Sequence, residues 1–226
     1  MKLSKRTLEI IKYFDLINPT LVFRAGSRLA TANGPAPTIL AFANIEEYFP
    51  KDFAVFELKK FLASINLMDE PEFNFEEHIV KISSNNRTIS YVYADIRQAQ
   101  IKRGKTAYDP YSKFDTAGLK TVDIEFDLSY ADYNSLKKAA SVLKLPDVAI
   151  VGIDGKILVK GINRKTPTGD EYGIVVGETD KEFSYFIDNL NLRLIEDEKY
   201  TVSISGAGLS KFAGKDVTYY ISLLDN

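Results

Sequence analysis

Apolar residues recur along the chain with two periods. In 4–17, Ile10, Ile11, Phe14 and Ile17 share one helical face. Lys5, Glu9 and Lys12 lie opposite, flanked by Arg6, and Ser4 is placed to cap the helix. The pattern returns in 57–67, with Leu58, Phe61, Leu62 and Ile65 inward and Lys59, Lys60 and Asn66 outward. A third helix is predicted over 129–145, stopped by Pro146. Its stripe is Leu136, Ala139 and Leu143, with Lys137, Ser141 and Lys144 opposite and Lys138 alongside. A short fourth is expected over 188–194, capped by Asp188 and exposing Arg193.

Elsewhere the period is two. Strands are predicted at 20–24, 38–45, 52–56, 72–75, 79–83 and 88–93, then at 122–126, 148–153, 156–162, 171–177, 182–187, 200–205 and 217–224. Asp154-Gly155 between two apolar runs signals a two-residue hairpin. Short turns throughout favour antiparallel sheets. Between 94 and 120 neither period holds, and the polar segment with Gly104, Pro110 and Gly118 reads as a connector. The halves on either side look alike. Leu3-Ser4 before a helix matches Leu128-Ser129 at an offset of 125, and Phe53-x-x-Phe56 matches Phe183-x-x-Phe186 at 130. The fold class is therefore α+β, with similar domains at 1–93 and 121–226 joined by 94–120.

Composition narrows the chemistry. With 45% apolar and 27% charged residues, 14 Phe and 13 Tyr, the chain is a folded and strand-rich one. It has no Cys, which excludes disulfides, thiolate metal sites and a Cys nucleophile, and one His, which excludes a multi-His metal site. No cofactor is implied. No signal peptide or apolar span of membrane length is visible, so a soluble cytoplasmic protein without membrane contact is expected.

Charge is distributed unevenly. The formal net charge is -2, yet the four predicted helices carry nine basic side chains against five acidic ones. The basic set is Lys5, Arg6, Lys12, Lys59, Lys60, Lys137, Lys138, Lys144 and Arg193. Such residues serve equally to solvate amphipathic helices. All four helices leaning one way on an acidic body also suggests a surface facing a polyanion. A few lysines without a base-reading cluster give weak, salt-sensitive, sequence-independent attraction that lets duplex DNA pass.

The chain resembles the sliding-clamp family of T-even-type bacteriophages, the DNA polymerase processivity factors. The likeness runs from Met1-Lys2-Leu3-Ser4-Lys5 and Ile17-Asn18, through Phe56-Glu57-Leu58-Lys59-Lys60-Phe61-Leu62, to Phe183-Ser184-Tyr185-Phe186-Ile187, Asn191-Leu192-Arg193-Leu194, Lys211-Phe212-Ala213 and Tyr219-Tyr220-Ile221. The resemblance implies a homotrimeric ring of six clamp-fold domains, with antiparallel sheets outside and helices lining a central hole for double-stranded DNA. It also implies an ATP-driven clamp loader, a tethered DNA polymerase, late-transcription factors as further partners, and the cytoplasm of an infected bacterium as the setting. Two surfaces carry over by position. A subunit interface would pair the strand holding Thr88, Ser90 and Val92 with the one holding Tyr172, Ile174 and Val176. A partner-peptide pocket would use Tyr108, Tyr111, Phe114 and Tyr220, aromatics that could equally pin the connector to the body.

Other motifs read as structure. Gly206-Ala207-Gly208-Leu209-Ser210-Lys211 lacks the ending of a phosphate loop and reads as a turn. His78 beside Glu76 and Glu77 reads as a solvated turn. Asp123, Glu125 and Asp127 alternate along one strand face, which suits a solvated sheet better than a carboxylate site. The expectation is therefore a clamp and no enzyme. An oligomeric phage structural protein of duplicated β-rich domains, or a hydrolase using those three acids, are the alternatives.

Overall fold

The computed structural model describes residues 1–103, 106–166 and 168–225, and the chain divides into Met1–Thr116 and Ala117–Asn226. The first unit runs α1 (Lys5–Ile17), β1 (Leu21–Phe23), β2 (Gly26–Ala32), β3 (Ile39–Phe49), β4 (Phe53–Val55), α2 (Leu58–Ile65), β5 (Glu72–Phe75), β6 (Ile79–Ser84) and β7 (Arg87–Val92). It continues through α3 (Ile96–Ala99), β8 (Ile101–Arg103), β9 (Thr106–Tyr108) and a 3₁₀ turn at Pro110–Lys113. Its pairings are β1 with β4, β2 with β3, β5 through β6 to β7, and β8 with β9, all antiparallel.

The second unit runs β10 (Ile124–Leu128), α4 (Tyr130–Leu143), β11 (Asp147–Ile153), β12 (Lys156–Ile162), β13 (Tyr172–Glu178), β14 (Phe183–Asp188), a 3₁₀ turn at Asn189–Asn191, β15 (Tyr200–Ser205), β16 (Leu209–Ala213) and β17 (Val217–Ser222). Strands β13-β12-β11-β14 form one antiparallel set and β10-β15-β16-β17 another.

Local chemistry explains the repeated plan. Ser4 and Ser129 sit in extended backbone and accept the N–H groups of Thr7 and Asp132 at 3.1 Å, so each opens a helix in the same way. After each helix a proline carbonyl, Pro19 or Pro146, takes the N–H of Leu58 or Asn189 at 2.9 Å. Met1 pairs with Phe73 on β5 through both backbone groups, as β10 pairs with β15. The hairpin at Asp154-Gly155 has φ of 51° and 76°, the left-handed pair that a twisted two-residue turn needs. The cores are aromatic. Phe23 stacks on Phe53 at 4.4 Å in one unit, and in the other the buried Tyr133 hydroxyl donates to the Leu192 carbonyl at 2.7 Å.

Several expectations need correction. The fourth helix is only the 3₁₀ turn Asn189–Asn191, because β14 extends to Asp188, which still caps the turn through its side chain. Strands β2 and β16 lie outside the predicted set, since small and polar residues blur their alternation. The stripe of α4 is Tyr133, Leu136 and Ala140, and Leu143 is exposed. That helix ends at a left-handed Lys144, before Pro146 can act. The 94–120 segment is not featureless: α3, β8-β9 and the Pro110–Lys113 turn lie in it.

The duplication is present, with a different register for the phenylalanine match. Ala54, opposite Val22, takes the N–H of Ala94 at 2.8 Å. Phe186, opposite Ala149, takes that of Leu224 at 2.8 Å. The corresponding strand positions therefore differ by 132. The match at 130 is two residues off, a slip that keeps the same sheet face and so leaves the apolar pattern intact.

Candidate nucleic-acid interface

Helix α1 buries Thr7, Ile10, Ile11, Phe14 and Ile17, which turns Lys5 and Lys12 to solvent. Arg6 is half-buried and pairs with Glu9 at 2.8 Å. In α2, Leu58, Phe61 and Ile65 are buried, leaving Lys59 and Lys60 outward, with Lys60 at 3.5 Å from Glu57. Exposed pairs of that kind contribute little and leave the cation exchangeable. Lys138 and Lys144 are exposed on and after α4, beside Val142 at 78% exposure.

Two further predicted cations are occupied. Lys137 reaches Glu196 at 2.8 Å and lies over the Tyr133 ring, 5.6 Å from its centroid. Arg193 follows the 3₁₀ turn and donates from Nε to the Leu190 carbonyl at 2.7 Å.

The strands expected at a subunit interface are edges of their sheets: among the described residues β7 pairs only with β6, and β13 only with β12. Thr88, Ser90 and Val92 are exposed, on the face opposite Tyr91, whose ring meets Phe61 at 5.1 Å. Tyr172, Ile174 and Val176 are half-buried, and the Tyr172 hydroxyl lies 2.5 Å from Ser135 on α4.

The four expected pocket aromatics are differently placed. Tyr108 is half-buried, and burial raises its phenol above the ordinary range. Tyr111 donates to the Val22 carbonyl at 3.0 Å. Phe114 packs on Phe42 at 5.0 Å, and Tyr220, 8% exposed, donates to the Ala117 carbonyl at 2.9 Å. Sequence periodicity missed Arg24 and Arg28, whose ion pairs with Asp109 and Asp115 are made across more than 80 residues.

The carboxylates at and just before β10 are spent on neighbours. Asp123 accepts the Gly206 N–H at 2.6 Å, Glu125 the Ser203 hydroxyl at 2.8 Å, and Asp127 pairs with Lys199 at 2.7 Å. His78 is exposed, 3.6 Å from Glu77. Among the described residues no group of three His, Asp or Glu is placed to hold a metal, and no helix is long and apolar enough to cross a membrane.

The family description "gp45 sliding clamp, C terminal" matches residues 125–224. The sliding clamp of Vibrio phage KVP40 is 33% identical over 227 residues, spanning 98% of each chain. The chain belongs to the phage sliding-clamp family. Its relative in Enterobacteria phage T4 is 27% identical across 99% of this clamp and 96% of its own length. Among solved structures, A. fulgidus PCNA carrying a bound C-terminal region of FEN-1 superposes with a TM-score of 0.71 at 9% identity, over 100% of this clamp and 97% of that chain. The beta subunit of the Streptococcus pyogenes DNA polymerase gives 0.60 at 15%, over 100% of this clamp and 64% of that chain. Those two likenesses establish the clamp fold. The clamp is a DNA-encircling processivity factor of phage replication.

Proposed function

We propose that three copies close into a ring around duplex DNA and tether the replicative DNA polymerase. The observation that carries this reading is the pair of open edges, β7 in one unit and β13 in the other. Each leaves backbone N–H and C=O groups unmet, and head-to-tail pairing of copies satisfies both at once. Lys5, Lys12, Lys59, Lys60, Lys138 and Lys144 then face the phosphates, with Arg6, Lys137 and Arg193 as weaker contributors because each is half-buried against a partner. An ATP-driven loader opens and closes the ring, and late-transcription factors share the partner surface. We assign that surface to Tyr108, Tyr111, Phe114 and Tyr220, taking 94–120 as the connector and 1–93 and 121–226 as the domains. The protein works without catalysis or cofactor in the host cytoplasm.

Native mass by light scattering across a dilution series tests the ring. A species of about three 25.4 kDa chains that falls apart on dilution is expected. A monomer at every concentration overturns the reading. Loaded clamp should also stay on circular DNA and run off once the circle is cut, which a plain structural oligomer would not do.

A further inference from the structure

Arg24 and Arg28 fasten a strip of chain that neither the helix lysines nor the open edges account for. Arg24 follows β1 and has a side chain only 29% exposed. It places one nitrogen 2.6 Å from Asp52 and another 3.1 Å from Asp109. Asp109 in turn accepts the Tyr111 N–H at 3.1 Å, which sets the 3₁₀ turn, and the Tyr111 hydroxyl closes onto the Val22 carbonyl at 3.0 Å. Arg28, on β2, lies 3.0 Å from both oxygens of Asp115, with its guanidinium 4.5 Å from the Phe114 ring centroid. Phe114 also packs on Phe42, with the ring centroids 5.0 Å apart. Arg24 thus ties Asp109 of the strip to Asp52, and Arg28 holds Asp115 together with the Phe114 ring.

The duplicated fold supplies an internal comparison. Val22 stands to Ala54 as Ala149 stands to Phe186, which puts Val151 where Arg24 is in the first unit. The arginine occurs in the unit whose chain runs on into such a strip. Burial alone would push the Asp52 carboxyl up, yet the Ala25 N–H and Arg24 together hold it below the ordinary range.

We infer that Arg24 and Arg28 are positioning residues for partner binding: they hold 109–115 in one conformation, so that a polymerase segment meets a formed docking strip. The inference rests on the connector reading above. Ordering a loose strip at the moment of binding weakens apparent affinity as the fraction competent beforehand falls, since the apparent Kd is the intrinsic Kd divided by that fraction. Arg28–Asp115, with side chains 51% and 74% exposed, is screened by salt, whereas the half-buried Arg24 is less so.

The test uses the full chain as wild type, Arg24→Gln, Arg28→Gln, the double variant and Arg24→Lys. Hydrogen exchange at amides 111–116, affinity for the phage replicative DNA polymerase and native mass are measured together. The double variant should exchange about tenfold faster there and bind polymerase about five- to tenfold more weakly, at unchanged native mass, with Arg24→Lys between. Unchanged exchange, or faster exchange with full affinity, overturns the inference alone. Wild type that fails to bind polymerase at all overturns the connector reading and this inference with it.

Discussion

Glu47 shows how a single side chain links a strand to a helix start. It sits on β3, half-buried, and accepts the backbone N–H of Ser4 and the hydroxyl of the buried Thr7. Burial would raise its carboxyl, but the Thr7 and Ser4 bonds outweigh that and hold it below the ordinary range. A depressed folded value adds stability above the unfolded carboxylate range, and this is lost as pH falls through the folded value. Glu47→Gln should therefore cost about 1 kcal/mol at pH 7, discounted for its partial exposure, and flatten acid denaturation followed by circular dichroism. Gly152 is a second pressure point. A Cβ there would come within 2.4 Å of both the Lys181 carbonyl and the Phe183 ring, so Gly152→Ala should destabilise by about 1–3 kcal/mol in a urea titration.

At the scale of elements, the helix faces decide which lysines can matter. A lysine opposite a buried stripe, such as Lys5, Lys12, Lys59 or Lys138, reaches solvent on a rigid support. Lys137 is held by Glu196 and contributes less. Replacing those four by Glu should leave the melting temperature within a few degrees, as surface changes do. DNA retention should weaken, and the slope of log affinity against log salt should fall by about one for every phosphate that is no longer neutralised. Retention and slope equal to wild type would show that the helices do not face DNA.

For the whole molecule, closure turns on the edges. Ser90 lies three residues before Tyr93, whose N–H donates to the His78 carbonyl, so alternation turns the Ser90 N–H away from β6. Proline is tolerated where a strand N–H faces no partner in its own sheet. Ser90→Pro should therefore fold with near wild-type stability yet remain monomeric, at concentrations where wild type shows the mass of three chains in light scattering.

The order of elements was legible in the sequence because each is set by local physics. Ser4 and Ser129 cap helices by their own hydroxyls, Ile10, Ile11, Phe14 and Ile17 fall on one face by spacing alone, and Asp154-Gly155 adopts left-handed backbone without outside help. The lysine excess on helices was legible for the same reason, since the face opposite a buried stripe must be solvated. Tertiary structure decided the rest. Whether 189–191 became a full helix depended on how far β14 ran, and whether Lys137 stayed available depended on Glu196, 59 residues away. The grip of Arg24 and Arg28 on Asp109 and Asp115 joins residues 85 and 87 apart. Periodicity records which face of an element is buried, whereas a partner far along the chain is chosen only when the sheets bring the two together.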